Sequence, residues 1–198
     1  MRATTLPILW LLCIGSIPLS TARAASYETI DTAKSRIGFV SRQMGVPVSG
    51  QFRSFSGSIV FDTAHPEAGK LRIEVDLASI DAGSNEANDE VVGKDWFFVK
   101  RFPSAVFEAQ DIKALGNGRY EVQGKLSLKG HGKPVLAKGT LRETPEGGIF
   151  EGGFTLKRLD FGIGEGLWGD PDTVADAVEV NCVLAVRPAR PGGPAKKK

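Results

Sequence analysis

The fold of this chain is predicted most directly by residues 119–128, RYEVQGKLSL, in which apolar and polar side chains alternate. Successive side chains of a β-strand point to opposite faces, so Tyr120, Val122 and Leu126 fall on one face and polar residues on the other. One apolar and one polar face are typical of an antiparallel sheet that has one side in water.

The same two-residue period recurs along most of the chain. It is clear in residues 71–77, LRIEVDL, and in residues 178–184, VEVNCVL. Shorter pieces of the pattern contain Phe39, Phe61 and Phe154. The alternation therefore predicts a protein built mainly from strands.

Turn-forming residues separate these apolar runs. The tripeptide Gly116-Asn117-Gly118 predicts a tight hairpin, because Asn and Gly tolerate positive φ angles. Further turns are predicted at residues 130–134, GHGKP, and at residues 145–148, PEGG. About eight strands at this spacing predict an all-β fold in which sequential strands pair and the sheet closes into an antiparallel β-barrel.

One segment breaks the two-residue period. Residues 84–98, SNEANDEVVGKDWFF, begin with capping residues and acids, and Val92 and Trp96 lie four positions apart. These features predict one short helix near the barrel mouth. The aromatic residues 96–98 then either project into and cover an internal cavity or simply plug the end of the barrel.

The chain begins with the features of a signal peptide. Arg2 precedes the apolar run 6–19, and Ala22-Arg23-Ala24 places small residues at the positions that a signal peptidase recognises. We expect residues 1–24 to be removed during export. Losing two arginines balances the charges of a chain that has 25 basic and 23 acidic residues, which argues against nucleic acid as a partner.

The other end of the chain differs from the body in composition. Residues 25–187 form the predicted barrel domain, whereas residues 188–198, PARPGGPAKKK, are rich in Pro, Gly and cations. This composition predicts a disordered basic tail, which either keeps the protein soluble or touches anionic lipid.

No pattern of catalytic residues is recognisable. His65 and His131 are the only histidines and lack partners at metal-ligand spacing. Cys182 lies within a predicted strand, where burial raises the pKa of a thiol instead of activating it. Residues 164–169, GEGLWG, fit the dinucleotide-binding pattern, but no helix follows them, and the nearby acids 165–176 predict a solvated loop. We therefore predict a protein that is not an enzyme, with no metal site.

The remaining candidate site is the interior of the barrel. A barrel of eight strands is either filled by its own side chains or able to hold one small ligand. Aromatic residues that face inward beside glycines favour a cavity for an apolar ligand. The residues predicted to contact this ligand are Phe39, Phe52, Phe61, Val75, Trp96, Phe98, Phe107, Val122, Leu126, Phe150 and Phe154.

Several segments of the chain are similar to one known family. They are residues 35–39, SRIGF; 50–59, GQFRSFSGSI; 102–107, FPSAVF; 124–130, GKLSLKG; and 133–135, KPV. By their order and spacing, the chain resembles the YceI-like family of exported polyisoprenoid-binding proteins. The resemblance implies a lipocalin-like barrel in the periplasm, with a lipid chain threaded through its apolar interior and no catalytic residues.

The resemblance also bears on the ligand. It implies a non-covalently bound polyprenyl chain, isoprenoid quinone or fatty amide, and residues 156–166, LKRLDFGIGEG, are similar to a branch found fused to b-type membrane cytochromes. Many relatives have His where Gln43 stands and Arg-Asp where Asn88-Asp89 stands, and the loop 44–48 is shorter here. The contacts of the head group therefore cannot be transferred from the family.

Three functions stay open at this level. The first is a carrier or reservoir for a long-chain isoprenoid lipid, with transient contact to a membrane or membrane protein. The second is an interaction module with a solid core that docks to a membrane partner of the cytochrome type. The third is an enzyme that acts on the bound lipid, which a carboxyl group with a raised pKa at the cavity mouth would favour. The oligomeric state is also open, with a homodimer as one alternative.

Overall fold

The computed structural model describes residues 24–189, which contain ten strands and one α-helix. The predicted signal peptide and basic tail lie outside the described residues, except for Ala24, Pro188 and Ala189. Pro188 is the last residue of the last strand. The elements in chain order are β1 (Ser26–Gln43), β2 (Val46–Phe52), β3 (Phe55–Asp62), β4 (Lys70–Asp76), β5 (Ile80–Asp81), α1 (Asn85–Val91), β6 (Ser104–Gly116), β7 (Arg119–Leu128), β8 (His131–Thr144), β9 (Gly147–Lys157) and β10 (Ala177–Pro188).

The strands form one antiparallel sheet that closes on itself. Strands β6 to β10 pair in sequence, β4 joins β6, β3 joins β4, and β1 pairs with both β3 and β10. The short strand β5 and strand β2 extend this barrel, since β2 pairs with the C-terminal part of β1 and with β5. The predicted closed barrel of about eight strands is confirmed, with two additional strands.

Alternation along the strands turns apolar side chains toward the inside of the barrel, and at one end they pack together and fill it. In β7, Tyr120, Val122, Leu126 and Leu128 are buried and most of the residues between them are exposed. The ring of Tyr120 packs edge to face on Phe61 with centroids 5.2 Å apart. Apolar residues from both ends of the chain complete this core, so the end that holds the two described termini is closed.

Two hairpins illustrate what turn chemistry predicts. Asn117 and Gly118 have φ angles of 54° and 70° and connect β6 to β7, which confirms the first predicted turn. The turn predicted at residues 130–134 includes Gly130 but is shorter and begins one residue earlier, because β8 already begins at His131. Lys129 and Gly130 both have positive φ and reverse the chain by themselves, so the next residues pair directly with β7.

The helix is shorter than predicted. It begins at Asn85 and ends at Val91 instead of Phe98. Ser84 is its N-cap residue, and the Ser84 hydroxyl accepts a hydrogen bond of 3.2 Å from the Ala87 N–H. Val92 caps the helix and Gly93 follows it, and glycine is a poor helix former. Beyond it the chain turns back on itself, with the Phe98 N–H donating to the Gly93 carbonyl. No helix within residues 24–189 combines the length and apolar character needed to cross a bilayer.

Candidate ligand cavity

Beyond the closed end, the barrel surrounds a cavity of about 560 Å³. This volume lies within the range of roughly 300–1,000 Å³ that is typical of small-molecule sites. Its walls are aliphatic and aromatic side chains from most of the strands, together with residues of α1 and of the loop before β10. The barrel therefore encloses apolar space and is not filled from wall to wall.

Most of the residues predicted from sequence come together on this wall. Phe61 and Phe98 are the exceptions. Whether the others touch a ligand stays a prediction. Those that line the cavity are Phe39, Phe52, Val75, Trp96, Phe107, Val122, Leu126, Phe150 and Phe154.

Phe61 and Phe98 do not line the cavity, for two different reasons. Phe61 faces inward but lies in the packed end of the barrel, against Tyr120. Phe98 has a φ angle of 51° and packs on Phe102, 6.2 Å away between ring centroids. Its neighbours Trp96 and Phe97 both line the cavity. The turn of the backbone at Phe98 directs this third aromatic side chain away from the cavity.

A glycine determines where one of the large rings can lie. A Cβ atom at Gly124 would come within 2.5 Å of the Phe107 ring. The absence of that atom lets Phe107 lie across β7, where it stacks on Phe154 with centroids 6.2 Å apart and an angle of 20° between the ring planes. Glycine beside an inward aromatic thus shapes the wall.

Other wall residues were not singled out from the sequence. The alternation in residues 178–184 already placed Val178, Val180 and Cys182 on one face, and this signal could have found them. The further members that the sequence analysis missed include Ile37, Val48, Leu71, Ile73, Phe97, Ala137, Ile163, Val174 and Leu184.

The cavity opens beside α1. Three residues that line it are also exposed, namely Gln43 at the end of β1 and Glu86 and Glu90 on the helix. The Glu90 carboxylate accepts a hydrogen bond of 2.8 Å from Trp168 Nε1, which connects α1 to the loop before β10. These residues form the rim of the opening, called the mouth below.

A buried arginine holds the loop that borders the mouth. Arg158 is 1 % exposed, and burial lowers its pKa. All of its side-chain N–H groups face carbonyl oxygens of one loop. The acceptors are Ala175 at 3.1 Å, Ile163 at 2.8 Å, Gly164 at 2.7 Å, Trp168 at 2.6 Å and Val174 at 2.7 Å.

The glycine-rich stretch 164–169 packs around the Arg158 guanidinium and provides two of its carbonyl acceptors. Gly164 has a φ angle of 69°, and a side chain there would collide with the Arg158 guanidinium. Residues 166–168 form a single 3-10 turn, and no α-helix follows within the described chain. The stretch is therefore a loop organised around Arg158, with no helix N-terminus for a phosphate.

The acids near this loop have structural partners. Asp176 accepts a hydrogen bond of 3.0 Å from the Leu159 N–H, Asp170 accepts one from the Asp172 N–H, and Glu165 lies 3.0 Å from Lys129 Nζ. Among residues 24–189, no group of three His, Cys, Asp or Glu side chains is arranged to hold a metal ion. The thiol of Cys182 lies on the cavity wall, where burial raises its pKa to about 11.

The two positions that depart from the expected family pattern have different surroundings. Gln43 lies at the mouth. Asn88, in the middle of α1, instead accepts a hydrogen bond of 2.6 Å from the N–H of Ala82, the residue that follows β5. Only the first of them is placed to meet a ligand.

A closed antiparallel barrel around an apolar cavity that opens at one end defines the lipocalin-like class of binding barrels. Within that class, the model of the YceI-like domain matches residues 29–186. The chain belongs to the YceI-like family.

Individual relatives are similar to this chain in sequence and in structure. A UPF0312 protein of Azotobacter vinelandii is 33% identical over 189 residues, which cover 90% of this chain and 95% of the relative. The crystal structure of BcnA from Burkholderia cenocepacia is 38% identical, with a TM-score of 0.77, and covers 79% of this chain and 98% of BcnA. A polyisoprenoid binding domain from Saccharophagus degradans shares the fold, with a TM-score of 0.64, 18% identity and coverage of 83% and 99%.

Proposed function

We propose that this protein binds a long-chain isoprenoid lipid in the barrel cavity and acts as its carrier or reservoir. The observation that carries the proposal is the apolar cavity of about 560 Å³, closed at one end and open beside α1. The relative from Saccharophagus degradans is described as a polyisoprenoid binding domain, which supports the same class of ligand.

The energetics of such a ligand suit a carrier. Each methylene moved out of water gains about 0.8 kcal/mol, so a prenyl unit of five carbons gains roughly 4 kcal/mol before ordering costs. A few units therefore suffice for retention in an aqueous compartment. The same chain is equally favoured in a bilayer, so exchange between barrel and membrane is close to neutral.

An isoprenoid quinone is the finer proposal for this ligand. The similarity of residues 156–166 to the branch fused to membrane cytochromes supports it. In this structure those residues provide Arg158 and Ile163, which line the cavity near its mouth. Identification of the lipid that accompanies the purified protein decides between a quinone and another polyprenyl compound.

Export to the periplasm belongs to the proposal as well. Its support is the sequence of residues 1–24, with a charged start, an apolar run and small residues before a cleavage position. Cell fractionation combined with N-terminal sequencing tests it. A mature chain that begins at Ala25 in the periplasmic fraction is expected, and an uncleaved cytoplasmic chain would contradict it.

The apolar side chains beside the mouth support transient contact with a membrane. Met44, Val46 and Leu167 are 74 %, 62 % and 93 % exposed. The Met44 N–H donates to the Thr173 carbonyl at 2.9 Å, so this hairpin and the loop that contains Leu167 form one edge. These exposed apolar side chains could enter the surface of a bilayer beside the mouth.

Glu86 at the mouth gives the enzyme hypothesis no support. A catalytic acid in an apolar site needs a raised pKa. The pKa of Glu86 is lowered instead, by hydrogen bonds from its own backbone N–H and from Ser84.

A cavity-filling variant tests the binding function. Ala137 lines the cavity in β8, and its neighbour Leu136 points outward and is 47 % exposed. We expect Ala137→Trp to weaken binding of geranylgeraniol at least tenfold, because the indole takes the space of several methylenes. Leu136→Trp adds the same group outside and should bind as the wild type does. Equal binding by both folded variants would contradict an internal site.

A further inference from the structure

We infer that the mouth selects lipids whose head group carries no negative charge and rejects prenyl phosphates and diphosphates. The inference rests on the proposed function and adds to it the chemical class of the head group. It follows from the charges of the residues that line the cavity.

The described residues that line the cavity include three charged side chains, Glu86, Glu90 and Arg158. The two glutamates lie four positions apart on α1, so they project from the same face of the helix, toward the opening. Both are exposed at the mouth, where the head group of a lipid would stand once its chain lies inside. A diphosphate there would meet two carboxylates.

The two carboxylates belong to the rim in different ways. The Glu86 side chain lies beside its own backbone N–H and Ser84, and both interactions lower the pKa of its carboxyl group. Glu90 accepts a hydrogen bond from Trp168 Nε1 at 2.8 Å. The negative charge is thus part of the organised rim.

The positive charge on the wall is not free to bind an anion. Arg158 is 1 % exposed, and its five N–H groups are donated to the carbonyl oxygens that hold the loop. A phosphate could bind it only by displacing those carbonyls, which would remain buried without donors. Lys129, the nearby cation on the other side of the loop, bonds to the Gly162 carbonyl and to Glu165.

The neutral polar groups of the wall suit an uncharged head. Phe39, Ser41 and Gln43 are alternate residues of β1 that all line the cavity, so this wall becomes more polar toward the mouth. The Ser41 hydroxyl and the Gln43 amide can donate a hydrogen bond to a carbonyl head group or accept one from an alcohol. They provide hydrogen bonds without a charge that would bind phosphate.

Two probes with the same chain and different heads test the inference. Geranylgeraniol and geranylgeranyl diphosphate compete with an apolar fluorescent dye for the wild-type protein at low salt. We expect the alcohol to bind at least about tenfold more tightly, since carboxylates within several ångströms of a diphosphate repel it through a medium of intermediate dielectric. Raising the NaCl concentration to about 0.5 M should reduce this preference, because exposed charges are screened.

Paired variants assign the preference to the rim. The double variant E86Q/E90Q should lower the preference for the alcohol by about tenfold, and the amide oxygen at position 90 can still accept from Trp168. E67Q/E151Q removes the same charge from exposed positions that do not line the cavity and should leave the preference unchanged.

Each outcome has a definite meaning. Equal or tighter binding of the diphosphate by the wild type would overturn the inference and leave the lipid-binding function intact. The same follows if E86Q/E90Q folds normally and keeps the full preference. Displacement of the dye by neither compound would refute the proposed function, and this inference with it.

Discussion

Replacing Arg158 by methionine tests how the mouth of the cavity is held. The substitution removes the N–H groups that donate to carbonyl oxygens of the loop. Three of these carbonyl oxygens are in buried hydrogen bonds, those of Ile163, Gly164 and Val174. Each buried carbonyl without a donor costs about 1–3 kcal/mol, and relief from burying a charge offsets part of the total. We expect the free energy of unfolding to fall by about 3–5 kcal/mol.

Urea unfolding followed by tryptophan fluorescence measures this loss, with the exposed Arg142 as the control position for an Arg→Met change. The corresponding fall in melting temperature is roughly 6–20 °C for a domain of this size. Hydrogen exchange should report the first loss of protection in residues 163–176. A loss below about 1 kcal/mol, or protection that stays as in the wild type, would refute the role assigned to Arg158.

Three further changes probe the wall and the closed end. Cys182 should react with iodoacetamide at pH 8 roughly a hundredfold more slowly than an ordinary thiol, because burial raises its pKa to about 11 and the thiolate forms only as the pH approaches that value; rapid alkylation of the folded protein would contradict this. Gly124→Ala should destabilise the fold by about 1–3 kcal/mol in urea unfolding and weaken binding of geranylgeraniol, since the new methyl group pushes Phe107 into the cavity; unchanged affinity would count against that ring position. Phe61→Ala should cost about 3–5 kcal/mol in stability while the relative affinities for different prenyl chains stay the same; altered chain selectivity would place Phe61 at the ligand after all.

Much of the fold could be predicted because it depends on local patterns. The alternation in β7 determines which face is buried, and Asn117 with Gly118 determines where one hairpin turns. The turn after β7 was harder to place, because Lys129 adopts a positive φ angle that its residue type does not favour. Its ammonium group binds Gly162 and Glu165, which are distant in sequence, and this tertiary contact stabilises the turn.

The site was predictable in chemistry and less so in position. Phe61 and Phe107 both follow the two-residue period and both face inward, yet one lies in the packed end and the other on the cavity wall. The two-residue period shows which face of a strand points inward. The height of an inward side chain along the barrel axis depends on how neighbouring strands are aligned, and the period alone does not give that alignment. The mouth depends on pairs such as Glu90 and Trp168, which are 78 positions apart, and no local pattern indicates such a contact.

The central claim is that the barrel interior holds a long hydrocarbon chain in the cell. Native mass spectrometry of the protein, purified without detergent and without added lipid, tests this most directly. We predict one non-covalent adduct per chain, which on extraction is an isoprenoid lipid with an uncharged head group, and a reduced adduct in Ala137→Trp. The account would be contradicted if protein from several hosts repeatedly gave spectra without any lipid adduct and if Ala137→Trp and Leu136→Trp did not differ in the amount of adduct.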